Sequence, residues 1–257
     1  MKNYQELVKE VLVSGYGQEG RNGRTVALFG KQLEYNLEEG FPIVTGRKIF
    51  YRGVAGELAA LLKGPKHVDD FKEQGCSYWN KFADADGKLR LAYGNAWRDF
   101  NGANQLEYLI KNLKENPGSR RHLLVAWDPA NLDNLSSHCC HYAYEWFVRD
   151  GRLDMIWIQR SVDLLVGLPS DIILGAMMNM VIASTVGLKP GRLTLQLGNC
   201  HIYTEHLFQV ADYLRAPLRE LPIAKLAPEA TIDNFVPDMF SLKGYVHGPT
   251  MRFELKL

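Results

Sequence analysis

Three short stretches hold the residue types best suited to chemistry. Cys140 lies within His138-Cys139-Cys140-His141. A thiol beside histidines and near arginines can ionise more readily and act as a nucleophile. The competing assignment is a buried structural cysteine, which this tetrapeptide by itself favours. Gln159-Arg160-Ser161 closes an apolar run, Arg120-Arg121 follows the turn Pro117-Gly118-Ser119, and Arg21 lies in a stretch rich in Gly and Arg. Guanidinium forks suit phosphate oxygens and Ser161 can donate a further bond, although paired arginines are commonly just solvated. Asp171 follows Gly167-Leu168-Pro169-Ser170 at the head of an apolar segment. It reads either as a helix N-cap or as a carboxylate aimed into a pocket from the helix start. Glu57 stands between apolar neighbours, as a satisfied structural carboxylate or a general acid/base. His201 and Tyr203 are two apart on a strand end and so point the same way, to bind a sugar hydroxyl or to close a hydrogen-bond network.

Those groups need a scaffold large enough to bury them. The chain has 257 residues, 46% hydrophobic and 23% charged, which suits one large domain over 1–257 with a sizeable core. A formal net charge of +1 creates no global field for nucleic acid or a membrane surface, so neither is expected as a partner. The four cysteines, Cys76, Cys139, Cys140 and Cys200, show no CxxC or Cys/His spacing that looks like a zinc site. No metal is expected, and free thiols in a reducing cytosol are the simplest setting. The N-terminal segment reads as an amphipathic helix and not as a signal peptide. No apolar run is expected to reach the roughly 18–20 residues of a membrane span.

Apolar spacing predicts helices over 4–14, 54–63, 106–116 and 203–214, and a helix apolar nearly all round over 171–186. The last is expected at the centre of the fold. Strands are predicted over 26–33, 123–127, 142–149, 153–159 and 193–197, with extended pieces at 222–224 and 253–257. Residues 15–25 read as a loop. Asp150-Gly151 marks a tight hairpin. Irregular alternation of helices and strands, with no repeat or linker, gives a single α+β domain.

With these pieces in order, the chain resembles the thymidylate synthase family from end to end. The most telling stretch is Gln159-Arg160-Ser161-Val162-Asp163 followed by Gly167-Leu168-Pro169, with Cys140 twenty residues before Arg160. Phe29-Gly30, Glu39-Gly40-Phe41-Pro42, Glu57, Trp79, Tyr93-Gly94, Ser119-Arg120-Arg121 and His201-x-Tyr203 support it. The resemblance implies a thymidylate synthase-like fold whose mixed sheet forms a homodimer interface, with active sites shared between subunits. It implies that Cys140 adds to carbon 6 of a pyrimidine and that 5,10-methylenetetrahydrofolate is the co-substrate. Arg21, Arg160 and Ser161 would hold phosphate, with Arg120 and Arg121 reaching across from the other subunit. Gln159 would lie along the nucleotide and Tyr93 in the active site. Glu57 would organise a proton-moving water network. Trp79, Asp163 and Gly167 would meet the folate, and His201 and Tyr203 the deoxyribose hydroxyl.

One departure carries a consequence. Where the family's Gly-Leu-Pro motif normally leads to asparagine, this chain has Asp171. Asparagine can accept from the ring N–H of uracil and donate to its carbonyl. Cytosine reverses both groups. A protonated aspartic acid can donate to the cytosine ring nitrogen and accept from the amino group, and can protonate that nitrogen as Cys140 adds. Ionised Asp171 facing a uracil carbonyl is repulsive. The expected substrate is therefore dCMP, as in the phage-associated deoxycytidylate hydroxymethylase branch, which carries aspartate here. A phage enzyme would work in the host cytoplasm. The alternatives are a dCMP methyltransferase, an unusual dUMP-specific synthase in which Asp171 only caps the helix, and a catalytically silent nucleotide- or RNA-binding homologue. Cys139 replaces a usual proline, Phe82 and Ser170 replace aromatic residues, and the Arg21 loop is one residue shorter than the family pattern.

Overall fold

The computed structural model describes residues 1–256. The chain runs through α1 (Lys2–Ser14), β1 (Tyr16–Gly20), β2 (Gly23–Asn36), α2 (Tyr51–Leu61), α3 (Val68–Lys72), α4 (Asn95–Arg98) and α5 (Gln105–Glu115). It continues through β3 (Leu123–Val125), β4 (His141–Arg149), β5 (Arg152–Asp163), α6 (Gly167–Val186), β6 (Lys189–Tyr203), α7 (Leu207–Arg215), β7 (Ile223–Leu226) and β8 (Phe240–Lys243). Six strands form one sheet in the order β1-β2-β6-β5-β4-β3, and β7 and β8 form a separate hairpin. Only β5 and β6 run parallel, so the sheet is mixed. The α+β expectation therefore holds.

The parallel pair needs a crossover, and α6 supplies it. Its sequence is apolar on nearly every side because it lies inside the core, with Leu168, Ile172, Ile173, Met177, Val181 and Ile182 all without exposure. Contrary to the sequence expectation, this 20-residue helix does meet the length and hydropathy of a membrane span; 67% of its most apolar window is buried within the protein. Asn179 would be costly there but donates to the Leu153 carbonyl at 2.9 Å. Gly175 lets the helix come close to the sheet, since a Cβ at that position would lie 3.2 Å from Trp157.

Two sequence expectations are corrected. Residues 15–25 are not a loop: β1 pairs with β2 through Tyr16↔Ala27 to Gly20↔Gly23, and Arg21 sits at the hairpin tip. Short polar β-residues flanked by glycines gave no period-2 apolar signal, because this edge strand is exposed throughout. The central helix starts at Gly167, not at Asp171, with Val166 as its N-cap. Asp171 therefore lies in the second turn and caps nothing. The Asp150-Gly151 turn has both residues at positive φ, 50° and 71°, as a two-residue hairpin of the twisted type demands. The piece predicted over 253–257 is irregular through residue 256, and residue 257 lies outside the described residues.

One break in the sheet bears on the site. The β2–β6 register steps from Phe29↔Asn199 to Lys31↔Leu197, and the β5–β6 register from Gln159↔Leu197 to Ser161↔Asn199. Gly30, Gly198 and Arg160 thus form an unpaired row across three strands, with Gly30 at φ 76°. A Cβ on Gly198 would lie 2.5 Å from the Arg160 carbonyl oxygen. Gly198→Ala is expected to cost about 1–3 kcal/mol in a urea melt, because rigid backbone must shift, and to displace Arg160. A melt indistinguishable from wild type would contradict the close approach.

Candidate active site

The β4–β5 hairpin sets Cys140 beside Arg160. The Arg160 backbone N–H donates to the Cys140 carbonyl at 2.8 Å. Its side-chain Nε donates to the Cys139 carbonyl at 2.9 Å, and its guanidinium lies 5.6 Å from the Trp127 ring centroid. The cation is thus held by backbone oxygens and an aromatic face, leaving its outer N–H groups for a ligand. Cys140 is half-buried, whereas Cys139 is fully buried with its thiol near the Ala126 carbonyl. That resolves which thiol is reachable.

The expected activation of Cys140 needs correction. Burial pushes its thiol above the ordinary cysteine value, and the nearby Arg160 charge and a Tyr93 hydrogen bond only partly oppose this. The flanking histidines do not help. His141 is buried between Tyr93 and Trp157, each 4.2 Å away between ring centroids, and burial lowers its pKa to about 3. It is a neutral ring with Nδ1 2.5 Å from the Tyr144 hydroxyl. His138 is exposed and packs edge-on against Trp127. Tyr93 is buried, and its hydroxyl accepts the Cys140 backbone N–H at 2.6 Å.

Glu57 projects from α2, a helix so tightly packed that a Cβ on Gly56 would lie 2.1 Å from the Gln74 carbonyl oxygen. Both carboxylate oxygens are taken. Oε1 accepts from the Trp79 indole at 2.8 Å and Oε2 from the Tyr78 hydroxyl. Burial raises its pKa to about 7 against these two donors, and the Asp171 charge adds to the rise. Trp79 is itself buried against Phe71, Phe82 and Tyr93, so its indole N–H is committed to Glu57.

Asp171 faces the same centre from α6. Its Oδ2 accepts from Gln159 Nε2 at 2.7 Å, and burial raises its pKa to about 7. Gly167, one turn earlier, leaves room for this carboxyl: its Cβ would lie 3.7 Å from Asp171 Oδ2. Asp163 at the end of β5 accepts the Leu165 and Val166 backbone N–H groups on Oδ1, while its Oδ2 is buried without a partner. That lone acceptor suits an N–H of a bound heterocycle. In the β5–β6 register Asp163 stands opposite His201, and Ser161 opposite Asn199. His201 Nδ1 lies 2.9 Å from Asn199 Oδ1, and its ring meets Tyr203 edge-on at 5.4 Å. The Arg21 charge and the Asn22 side chain both act on the Tyr203 hydroxyl, which brings the exposed hairpin tip to the same mouth.

Arg120 and Arg121 are the exception. They are exposed on the approach to edge strand β3, and neither side chain makes a hydrogen bond or ion pair among the described residues. Nothing in the single chain brings them to Cys140. No group of three or more His, Cys, Asp or Glu side chains suited to a metal occurs among the described residues.

Three residues at this centre carried no sequence signal. Tyr78 adjoins Trp79 without any periodicity. Trp157 looked like ordinary strand core. His206 is buried with neither ring nitrogen paired, against Tyr203 and Phe253. Each owes its importance to a neighbour distant in sequence.

The raised carboxyl of Glu57 makes stability depend on pH. Its folded pKa lies above the unfolded value, so its contribution is complete below about pH 4.5 and is lost as pH rises through about 7. Between pH 5 and 8 this amounts to a loss on the order of 2–3 kcal/mol. Glu57→Gln is expected to flatten that part of the slope in urea melts taken across the range. An unchanged slope would remove the buried carboxyl from the balance.

A family model described as thymidylate synthase matches residues 2–257. A protein named thymidylate synthase from Corynebacterium aurimucosum is 36% identical over 260 aligned positions, covering 99% of this chain and 97% of its own length. The similarity therefore runs through every element that builds the site, and the chain belongs to the thymidylate synthase family.

Proposed function

We propose that the protein transfers a one-carbon unit from 5,10-methylenetetrahydrofolate to carbon 5 of dCMP and leaves a hydroxymethyl group there. The observation that carries the choice of base is Asp171. It lies in the second turn of α6, outside any capping position, with its pKa raised to about 7 and Gln159 fixing one oxygen. A carboxyl that keeps its proton near neutrality can donate to the cytosine ring nitrogen and accept from the amino group.

In this reading Arg160, Ser161 and Arg21 hold the phosphate, and His201 and Tyr203 hold the sugar hydroxyl. Cys140 first loses its proton to solvent, and Sγ then bonds to carbon 6 while the ring's double-bond pair moves toward position 3, where Asp171 delivers its proton. Carbon 5, now electron-rich, attacks the folate methylene and the methylene–nitrogen bond breaks. Loss of the carbon 5 proton to solvent and cleavage of the second methylene–nitrogen bond, with tetrahydrofolate departing, leave an exocyclic methylene. Water bonds to that carbon, Glu57 accepts its proton, the returning pair expels Cys140 as a thiolate from carbon 6, and the proton at position 3 returns to Asp171. Glu57 suits this step because two donors fix its carboxylate and its pKa is near the working pH. Asp163 and the Trp79 region would meet the folate.

The second reading is thymidylate synthesis from dUMP, in which hydride from the folate replaces water. The Corynebacterium aurimucosum relative bears that name, and this favours the alternative. Mass analysis of product from dCMP and from dUMP decides between them. Preferred turnover of dCMP, with a mass gain of a hydroxymethyl group, is expected. Asp171→Asn is expected to shift preference toward dUMP by about tenfold or more. Preferred conversion of dUMP by the wild type, with dihydrofolate forming, would refute the reading.

The cytosolic homodimer with shared sites also belongs to this proposal. Phe29 and Phe147 are exposed on the sheet, Ile156 and Ile158 are only half-buried on β5, and Arg120 and Arg121 are unengaged. Cys140→Ser and Arg121→Ala would then lie in different subunits of one site. Mixing the two inactive variants should restore about a quarter of the wild-type rate, because half of the dimers regain one intact site. No recovery after exchange would argue for self-contained sites.

A further inference from the structure

The carboxyl of Asp171 is oriented by a short chain of buried donors. Trp157 Nε1 donates to Gln159 Oε1 at 3.2 Å, and Gln159 Nε2 donates to Asp171 Oδ2 at 2.7 Å. Trp157 and Gln159 are two residues apart on β5, so their side chains leave the same face of the strand. Trp157 has no exposure and Gln159 has 2%. Trp157 therefore touches no substrate. It is immobilised by the His141 ring tilted over it at 4.2 Å, by Tyr144 edge-on at 5.0 Å and by the close approach of Gly175.

A glutamine amide can turn over with little change of shape, exchanging its donor and acceptor ends. An indole nitrogen has no such freedom, because it only donates. Beside a buried Trp157, the amide must present its oxygen to the indole, since the opposite choice sets two N–H groups face to face without an acceptor. Its NH2 end then faces Asp171. The Asp171 oxygen nearest Gln159 accepts, and a carbonyl oxygen accepts better than a hydroxyl oxygen, so a neutral Asp171 favours its proton on the other oxygen. One oxygen thus donates, and the second lone pair of Oδ2 remains to accept. That pair matches position 3 and the 4-amino group of cytosine. Uracil needs the reverse, with the proton on Oδ2, and this leaves Gln159 donating to a hydroxyl oxygen, a weaker acceptor than a carbonyl oxygen.

We propose that Trp157 is a specificity-determining positioning residue: its indole N–H fixes the Gln159 amide and thereby which oxygen of Asp171 presents a proton to the base. The inference rests on cytosine being the base read by Asp171.

The test compares kcat/KM for dCMP and for dUMP in three proteins: wild type, Trp157→Phe, and protein in which residue 157 is 3-benzothienyl-alanine. The last keeps the bicyclic shape and stacking and has sulfur in place of the N–H. The dCMP-to-dUMP ratio is expected to fall by about tenfold or more in both variants, mainly through lost dCMP turnover. The melting temperature of the benzothienyl protein should stay close to wild type, which separates lost orientation from lost packing. If Trp157→Phe does not fold, the benzothienyl protein decides alone. A wild type that prefers dCMP, with the ratio unchanged in the folded benzothienyl protein, overturns the role of Trp157. A wild type that prefers dUMP overturns the reading of the base, and the orientation argument falls with it.

Discussion

A buried column of aromatic rings organises this site. Trp79, Tyr93, His141 and Trp157 follow one another at 5.9, 4.2 and 4.2 Å between centroids. Their faces supply apolar contact, and the polar edges of three of them each hold one group. Trp79 donates to Glu57, Tyr93 accepts the backbone N–H of Cys140, and Trp157 orients Gln159 and so Asp171. Three candidate groups, from α2, from the residue before β4 and from α6, are thereby referenced to one rigid object. A ring packed on both faces has almost no freedom to turn, so its polar edge is a fixed point.

The same column dries the centre, and burial then dominates the electrostatics. Glu57 and Asp171 are both pushed up to about 7, and the Cys140 thiol is raised as well. For the carboxyls this is useful, because a proton that is half-present near neutrality can be given or taken at little cost. For the thiol it is a burden that Arg160 only partly offsets. The single chain thus holds its nucleophile mainly protonated. In the proposed reaction a phosphate-bound nucleotide, by fixing carbon 6 against Sγ, would make up in orientation what the thiol lacks in ionisation.

Some of this was legible in the sequence. The apolar surround of residues 171–186 marked a buried helix, since only a core can cover every side of one. Asp150-Gly151 marked its turn because few residues adopt positive φ there. The interval from Cys140 to Arg160 reflects a hairpin whose two strands bring residues twenty apart side by side, as the Arg160 N–H to Cys140 carbonyl bond shows. Residues 15–25 failed because an exposed edge strand has no buried face to impose alternation. The start of the central helix failed because Asp171 looks like a cap, while the helix already begins at Gly167, just after the Leu165 and Val166 N–H groups that Asp163 accepts.

The sequence by itself determined the family, the α+β class and the presence of aspartate where asparagine is usual, because these depend on residue identity and order. Tertiary structure decided the protonation and direction of those groups. Burial raised Asp171, Glu57 and Cys140 together, although a charge next to a cysteine in sequence suggested the opposite for the thiol. It also made Trp157 a partner of Gln159 and Tyr78 a partner of Glu57. Such roles have no sequence signature, since a hydrogen bond is strong only where water is excluded, and only the packed fold excludes it.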